Sequence, residues 1–384
     1  MKILHQLGHN KKWNIDAFFE NGIGDGLIHG AFNTKLEKLQ NLEKKLLDYS
    51  LIDLQYYGKK SSHDLGKFDT YPFHPASSHV EGRTTTDGMT NIYNGIQFQE
   101  NIGINKIIIP NYYESRDIDK FVEIIKKANE FIGRNKKDGL LYYMTIPLSN
   151  SFIHNDDVIN LLLTLLTDMN IYFNGYYIVC EASPGYKQKV SVDFDYLENV
   201  SRFFSVLKKQ GFSIIYGYAN WDAIIFISLV DLDYVTIGTY ENLRNFNNIR
   251  YSQKGAGGPS DGWYFSEKLL NFIRAREITN LRRNGCLNLV SNAMNIFSDV
   301  ILEPGFAWNT HKPDVHKNYL LSISRFLQEI SSLSDKAVKI EFMLEKIEAA
   351  RNTYRGLAER RVFLTDESAD YHLGTWLSFL RSKK

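Results

Sequence analysis

Two acidic residues stand where buried strands would end, and both could carry carboxylate chemistry. Glu181 closes the apolar run YYIVCE, and Asp53 lies within the run LIDLQYY. Alternation along the second run places Asp53, Gln55 and Tyr57 on one face, which points inward if the other face packs against helices. A carboxylate in such a place can act as a general base, as a nucleophile or as the acceptor of a ribose hydroxyl. Because a buried charge needs partners, a purely structural polar network is the alternative for Asp53.

Other polar side chains follow the remaining apolar runs. His5, Asp222 and Asp233 are further catalytic candidates, because their side chains can hold or exchange protons. His5 can equally be a hydrogen-bonded core residue. Asn220 can cap the helix that follows it, and Arg244 can simply pair with Glu241. The side chains that we predict to bind substrate are those of Gln55, Tyr57, Asn111, Tyr112, Tyr218, Asn220, Tyr240 and Arg244.

A glycine-rich segment, SQKGAGGPSDG, follows the last apolar run. Backbone N–H groups that Gly255, Gly257 and Gly258 leave accessible could bind a phosphate group there. A simple flexible connection is the alternative for this segment.

The sequence shows no pattern of metal ligands. His63, His74 and His79 are irregularly spaced in a polar insertion, so we predict that they are solvated loop residues. Cys180 and Cys286 are the two cysteines of the chain, which excludes a disulfide framework and a cysteine-based zinc site. We therefore predict no metal centre and no cofactor, although a loosely bound Mg²⁺ on the carboxylates remains compatible with the sequence.

The elements that must position these residues alternate between apolar runs and amphipathic stretches. Alternation of this kind predicts parallel strands joined by helices, and eight such units over roughly 250 residues are typical of a (β/α)8 TIM-type barrel. An open doubly wound sheet would favour a glycine-rich turn after the first strand, where this chain has Gly8-His9-Asn10. The predicted strands are Lys2–Leu7, Leu27–Phe32, Leu51–Tyr57, Lys106–Pro110, Leu140–Ile146, Tyr176–Glu181, Phe212–Gly217 and Tyr234–Gly238. The predicted helices between them are Thr34–Tyr49, Asp117–Ile132, Asp156–Met169, Phe194–Lys209 and Trp221–Val230.

The last third of the chain has a helical pattern. We predict an α/β fold whose barrel covers residues 1–250, with an insertion at 58–87, and a helical C-terminal region at 263–384. The helices predicted in that region are Phe265–Ile278, Leu287–Phe297, Tyr319–Ser332, Lys336–Tyr354 and Leu373–Arg381.

Composition narrows the class of protein. The 384 residues include 45 basic and 44 acidic side chains, so no excess charge marks bulk nucleic-acid binding. No apolar stretch approaches the roughly 20 residues that cross a bilayer, and the N-terminal residues MKILHQLGHNKK lack the apolar core of a signal peptide. We therefore expect a cytoplasmic protein without membrane association.

The segment 216–244 resembles part of the queuine and archaeosine tRNA-ribosyltransferase family. In that family a glycine turn ends strand seven, and a helix and an eighth strand containing Val-Asp follow. The triplet Tyr216-Gly217-Tyr218 and the stretch Val230–Val235 have a similar layout here. The resemblance implies a barrel fold and base exchange through an aspartate nucleophile, for which Asp233 is the nearest match. The cysteine-rich zinc site of the family has no counterpart in this chain.

Taken together, the residues favour an enzyme that cleaves or exchanges a glycosidic bond of a nucleoside or nucleic acid. Its carboxylates would stabilise an oxocarbenium-like centre, and its tyrosines would stack on a base. The alternative is a non-catalytic barrel that binds a protein partner through its C-terminal helices.

Overall fold

Eight parallel strands form the centre of the protein and confirm the predicted (β/α)8 barrel. The computed structural model of the chain describes residues 1–58, 66–77, 85–251 and 261–384. The strands are β1 (Lys2–Leu7), β2 (Gly26–Gly30), β3 (Ser50–Asp53), β4 (Lys106–Ile109), β5 (Leu141–Leu148), β6 (Gly175–Cys180), β7 (Ser213–Gly217) and β8 (Tyr234–Gly238).

The strand order is that of a nearly closed barrel. It runs β3-β2-β1-β8-β7-β6-β5-β4, so the first and last strands of the repeat are hydrogen-bonded neighbours. In this pairing Lys2 lies opposite Tyr234, and Gln6 lies opposite Gly238. β3 and β4 lie side by side and close the ring without a ladder between them among the described residues. All eight carboxyl ends therefore meet at one mouth.

Helices surround the strands. In chain order they are α1 (Lys11–Phe19), α2 (Leu36–Gln40), α3 (Lys44–Leu47), α4 (Thr85–Ile102), α5 (Ile118–Asn135), α6 (Asn150–Ile153), α7 (Asp156–Leu166), α8 (Phe194–Lys209) and α9 (Ala223–Leu229). α5 shows why these segments are helical. The Asp117 side chain caps its first turn, and its buried residues Phe121, Ile125, Ala128 and Ile132 form one apolar stripe.

The local predictions fail where a turn interrupts an apolar pattern. The stretch Thr34–Tyr49 holds two short helices, α2 and α3, in place of one. The run Leu51–Tyr57 leaves the strand after Asp53, because Gln55 adopts a left-handed backbone with φ of 55°. His74 is also not a solvated loop residue. It is fully buried, and its Nε2 lies 2.9 Å from the carbonyl oxygen of Leu54.

The C-terminal region contains strands that the helical pattern did not reveal. The expected helix Phe265–Ile278 is wrong: β9 (Trp263–Ser266) and β10 (Asn271–Arg274) form an antiparallel hairpin there. Aromatic and β-branched residues on both sides of the turn favour strands over a helix. The expected helix Leu287–Phe297 is also wrong. The helices that follow the hairpin are α10 (Ala275–Arg283), α11 (Ile296–Ile301), α12 (Pro313–Ser332), α13 (Lys336–Glu359) and α14 (Leu373–Arg381).

α12 completes the outer ring of helices. It packs against β8, α1 and α9, which is the place of the eighth helix in a barrel of this kind. Together with α13 it covers α9, whose residues from Ala223 to Ser228 are all buried. The barrel and the C-terminal helices consequently share one apolar core. A search for membrane-spanning helices in the described ranges finds none with the required length and apolar character.

Candidate active site

Asp53, the last residue of β3, lies at the mouth of the barrel and accepts three hydrogen bonds. Tyr57 donates its hydroxyl proton to Oδ2 over 2.5 Å, and Tyr177 on β6 donates to the same oxygen over 3.0 Å. The backbone N–H of Gln55 donates to Oδ1 over 2.9 Å. Asp53 is only 1% exposed. Because hydrogen bonds to an ionised acceptor are strong, these donors offset the cost of burying the carboxylate.

Tyrosine hydroxyls extend this arrangement across the mouth. Nε2 of Gln55 donates to the hydroxyl oxygen of Tyr218 over 2.5 Å and to that of Tyr251 over 3.2 Å. The hydroxyl oxygen of Tyr218 lies 3.0 Å from that of Tyr57 and 3.3 Å from that of Tyr251. One connected polar cluster results, which we call the Asp53 network; its members are Asp53, Gln55, Tyr57, Tyr177, Tyr218 and Tyr251.

Two members of the Asp53 network have a strained backbone. Gln55 and Tyr218 are in the left-handed region, with φ of 55° and 53°. For residues other than glycine this conformation costs about 1 kcal/mol or more, and it is concentrated at functional sites. Gly217 makes room beside them. A Cβ atom at Gly217 would lie 2.7 Å from the hydroxyl oxygen of Tyr177, so a larger residue would block the approach of Tyr177 to Asp53.

The tyrosines next to Asp53 keep their protons. Burial first, and the neighbouring charge of Asp53 second, raise the pKa of Tyr57 well above its ordinary value. The same two causes raise the pKa of Tyr177. Both phenols therefore remain neutral at physiological pH and can donate hydrogen bonds to the Asp53 carboxyl group.

Phe246 packs against the Asp53 network and also against Tyr113, the tyrosine that contacts Glu181. Its ring centroid lies 5.1 Å from that of Tyr57, 5.8 Å from that of Tyr218 and 6.2 Å from that of Tyr113. Tyr113 in turn donates a hydrogen bond of 2.6 Å to Oε2 of Glu181. Phe246 thus contacts one tyrosine that donates to each carboxylate, Tyr57 for Asp53 and Tyr113 for Glu181.

Asp222 is a third carboxyl group near the mouth, and burial is the main cause of its shifted pKa. It is 2% exposed, and its Oδ1 has no hydrogen-bond partner among the described residues. Burial raises its pKa to about 7, although nearby backbone N–H groups offset part of that effect. Asp222, Tyr218 and Cys180 line a cavity of about 10 Å³, which is room for one water molecule.

Two predicted catalytic residues lie elsewhere. His5 contacts α1 and the loop after it: its Nδ1 is 3.1 Å from Nδ2 of Asn14 in α1, and its Nε2 is 2.7 Å from the carbonyl oxygen of Ile23 in the loop. Burial lowers the pKa of His5 to about 4, so it is a neutral core residue. Asp233 directly precedes β8 and thus lies at the amino end of the barrel, opposite the mouth. The order of residues along a strand causes this placement, since a residue before a parallel strand cannot reach its carboxyl end.

Asp233 has a structural environment, which leads to a prediction. Its Oδ2 accepts hydrogen bonds from Nζ of Lys208 over 2.6 Å and from the backbone N–H of Ile214 over 2.8 Å. We expect Asp233→Asn to lower the free energy of unfolding by about 1 kcal/mol, because it weakens two charge-assisted hydrogen bonds. Urea titration measures this loss. Catalytic turnover should stay at the wild-type rate. A large loss of turnover would show that Asp233 contributes to catalysis.

Three residues that we predicted to bind substrate make structural contacts. Nδ2 of Asn111 donates to the carbonyl oxygen of Thr145 over 3.0 Å, and the Tyr112 hydroxyl donates to that of Gly88 over 2.9 Å. Nδ2 of Asn220 donates to the carbonyl oxygen of Lys189 over 2.8 Å. The suggested helix cap by Asn220 is therefore wrong, because α9 begins after Asp222 and has no side-chain cap.

The remaining predicted residues fall into two groups. Tyr240 and Arg244 line a second cavity next to the C-terminal region, and Arg244 also lines the small cavity of Asp222. Gly255, Gly257 and Gly258, together with His63 and His79, lie outside the described residues. Phosphate binding by these glycines stays a prediction.

Sequence reasoning missed three residues of the mouth. Tyr177 had a usable signal, because strand alternation places it on the same face as Glu181. Tyr251 and Phe246 come from the irregular segment after β8, where no periodic pattern predicts which side chain turns inward.

No further group or relative adds to this site. In the parts of the chain that the structure describes, no cluster of three or more histidine, cysteine or acidic side chains could hold a metal ion. Comparison with family models and with curated proteins finds no match for this chain. The resemblance to the tRNA-ribosyltransferases therefore stays a prediction, and the geometry of the mouth is the feature that bears on function.

Proposed function

We propose that this protein is an enzyme that cleaves or exchanges the N-glycosidic bond of a nucleoside or of a nucleotide within a nucleic acid. The observation that carries the proposal is the Asp53 network, a buried carboxylate among tyrosines at the carboxyl end of a (β/α)8 barrel. Active sites of this fold lie at that end.

Asp53 suits the charge that develops in such a reaction. As the glycosidic bond breaks, the sugar becomes oxocarbenium-like and positive, and a fixed carboxylate stabilises that charge or attacks the anomeric carbon. Tyr57 and Tyr177 stay protonated and hold Oδ2 in place, so Asp53 needs little reorganisation during the reaction.

The tyrosines suit the rest of the substrate. Aromatic rings stack on nucleobases without requiring positive charge, which fits a chain whose basic and acidic residues nearly balance. Of the predicted substrate-binding residues, Gln55, Tyr57 and Tyr218 belong to the network and would contact the sugar or the base.

Asp222 would supply the proton for the leaving base. Its pKa of about 7 keeps part of the population protonated at neutral pH, as a general acid requires. In the first step Asp53 forms a C–O bond to the anomeric carbon, the C–N bond breaks, and the base takes the proton of Asp222. In the second step water or an incoming base displaces Asp53 and returns a proton to Asp222. Glu181, held by Tyr113, is the other carboxylate that could assist this second step.

Access to Asp53 requires a movement. Phe246 and Tyr251 are both buried over the Asp53 network, and both belong to the segment that follows β8. Because Asp53 is only 1% exposed, a substrate reaches it only when residues around it move, so we expect turnover to be slow relative to a preformed open site.

An assay of base release tests the proposal. Purified protein is incubated with a panel of nucleosides, with tRNA and with single-stranded DNA, and free base is quantified by chromatography with and without an added labelled base. We expect release from, or exchange into, one of these substrates. Absence of both from every substrate would contradict the proposal and favour the non-catalytic alternative, a module that binds a protein partner through its C-terminal helices.

A further inference from the structure

A second cavity, of about 170 Å³, lies between the segment after β8 and the C-terminal region. We call it the Arg244 cavity. For comparison, a cavity of roughly 150 Å³ is large enough for a benzene ring. Its lining residues come from the end of β8, from the hairpin β9–β10 and from α12: Thr239, Tyr240, Glu241, Arg244, Gly262, Trp263, Phe272, Thr310, Val315, His316 and Tyr319.

Arg244 is the cation that lines this cavity, and aromatic rings fix its position. Its guanidinium carbon lies 4.4 Å from the ring centroid of Phe272 and 4.5 Å from that of Tyr319. Arg244 is 7% exposed. Contacts with two aromatic rings restrict the position of the guanidinium, whose N–H groups are strong hydrogen-bond donors.

Several polar atoms around the Arg244 cavity lack a well-aligned hydrogen bond. Nε and Nη1 of Arg244, the hydroxyl of Tyr319 and Oγ1 of Thr239 are all buried without such a bond among the described residues, although the Arg244 guanidinium and the Tyr319 hydroxyl interact with each other. An isolated buried donor costs about 1 to 3 kcal/mol, and a charged one costs more. Four such atoms on three residues that line the same cavity indicate a missing partner that accepts hydrogen bonds.

The local charge specifies that partner as an anion. Glu241 is the carboxylate that acts on Arg244, but its Oε2 already accepts a hydrogen bond of 2.6 Å from Nζ of Lys189. Lys189 is itself buried. Burial lowers the pKa of His316, so this histidine adds no compensating or additional charge near neutral pH. Glu367 also acts on Lys189, but it pairs with Arg274. Asp222, which lines the neighbouring small cavity together with Arg244 and Lys189, is partly neutral because burial raises its pKa to about 7. Arg244 and Lys189 together therefore carry more positive charge than Glu241 offsets.

We propose that the Arg244 cavity binds a small organic oxyanion, a carboxylate or phosphate group carried on a single flat ring. Arg244, Tyr319 and Thr239 would donate hydrogen bonds to the oxygen atoms. The aromatic side chains of Trp263 and Tyr240 would contact the ring. Neither the reaction at Asp53 nor its substrate enters this inference, so its test is independent of base release.

Direct binding measurements test the proposal with defined probes. Isothermal titration calorimetry on the full chain uses inorganic phosphate, phenyl phosphate and benzoate, with benzyl alcohol as the neutral control. We expect a ring-bearing anion to bind at least about tenfold more tightly than inorganic phosphate, because the aromatic walls add apolar contact. The ratio between phenyl phosphate and benzoate then distinguishes a phosphate site from a carboxylate site.

Substitutions that are expected to change the binding affinity in opposite directions make the test specific. Thr239→Val and Tyr319→Phe should each weaken binding about fivefold to twentyfold, since each removes one hydrogen bond. Arg244→Met should weaken it about 100-fold or more. Glu241→Gln should strengthen it severalfold, because it removes the opposing carboxylate. Arg202→Met is the matched control, since Arg202 lies on α8 and pairs with Asp156.

Two results would overturn the proposal. One is failure of all three anions to bind at millimolar concentration, which would leave the cavity to water alone. The other is equal binding by the wild type and by Thr239→Val and Tyr319→Phe. Because these two changes keep nearly the same volume, they serve even if Arg244→Met does not fold.

Discussion

Asp53→Asn is expected to reduce the rate of base release or exchange by about 10³-fold or more, because it removes the negative charge that faces the reacting sugar. The substitution keeps the size of the side chain and one acceptor oxygen. Binding of substrate should therefore change much less than turnover, and comparison of kcat with KM in the release assay measures this split.

The same substitution also probes the Asp53 network. Tyr57 and Tyr177 both donate to Oδ2 of Asp53, and an amide at this place offers a weaker acceptor or a competing donor. We expect the free energy of unfolding to fall by about 1 to 3 kcal/mol. Asp233→Asn is the matched control, since it makes the same chemical change at the opposite end of the barrel. Full activity of Asp53→Asn together with reduced stability would identify the network as purely structural.

The barrel itself could be predicted from the sequence because its signal is local and repeated. Strands such as Lys2–Leu7 and Tyr234–Gly238 are apolar runs of strand length, and the helix Phe194–Lys209 carries its own cap at Asp193. The sequence signal of each strand or helix therefore lies within a few residues of that element. The hairpin β9–β10 was not predicted from the sequence, because the leucines in its turn resemble the apolar stripe of a helix.

The candidate site could be predicted only in part, because much of it depends on contacts between distant segments. Strand alternation correctly predicted that Asp53, Gln55 and Tyr57 lie together. However, a left-handed turn at Gln55 brings them together, because the strand does not continue through these residues. Tyr251 reaches Gln55 across 196 positions of the chain, which no local pattern records. The burial of Arg244 likewise depends on Phe272 and Tyr319, which belong to the hairpin and to α12.

The environment of Asp222 follows from the same kind of distant packing. The sequence predicts that a helix begins near Asp222 but does not show what packs against that helix. Because α12 and α13 cover α9, this first turn is buried, and Oδ1 of Asp222 has no partner among the described residues. Burial in that position favours the protonated form of the carboxyl group, which connects the stability of the whole protein to pH.

The direction of this dependence follows from the raised pKa of Asp222. Between the ordinary carboxyl pKa of 3.8 and the folded value of about 7, the folded state binds more protons than the unfolded state. Stability from this group is therefore complete below pH 4, decreases as the pH rises, and is lost above pH 7. The loss amounts to about 4 kcal/mol at most.

Asp222→Asn should remove this penalty. At pH 8 we expect the free energy of unfolding to rise by about 2 to 3 kcal/mol, since the buried amide retains a smaller cost for its own unpaired groups. At pH 4 the variant and the wild type should agree within about 1 kcal/mol, because the carboxyl group is then neutral. Urea titrations at pH 4, 6 and 8 measure the difference, with Asp233→Asn as a control that loses stability at pH 8.

Measurement of activity shows whether Asp222, whose buried carboxyl group lowers stability, has a catalytic role. If Asp222 donates the proton to the leaving base, Asp222→Asn should lower turnover by about 10²-fold or more while it stabilises the fold, a trade-off typical of catalytic groups. The wild-type rate should decrease above about pH 7, where Asp222 loses its proton, and this decrease should be absent from the pH–rate profile of the variant. A stabilised variant with unchanged turnover would exclude Asp222 as the acid and transfer that role to Glu181. A variant that is less stable at pH 8 would instead show that the buried carboxylate has a stabilising partner.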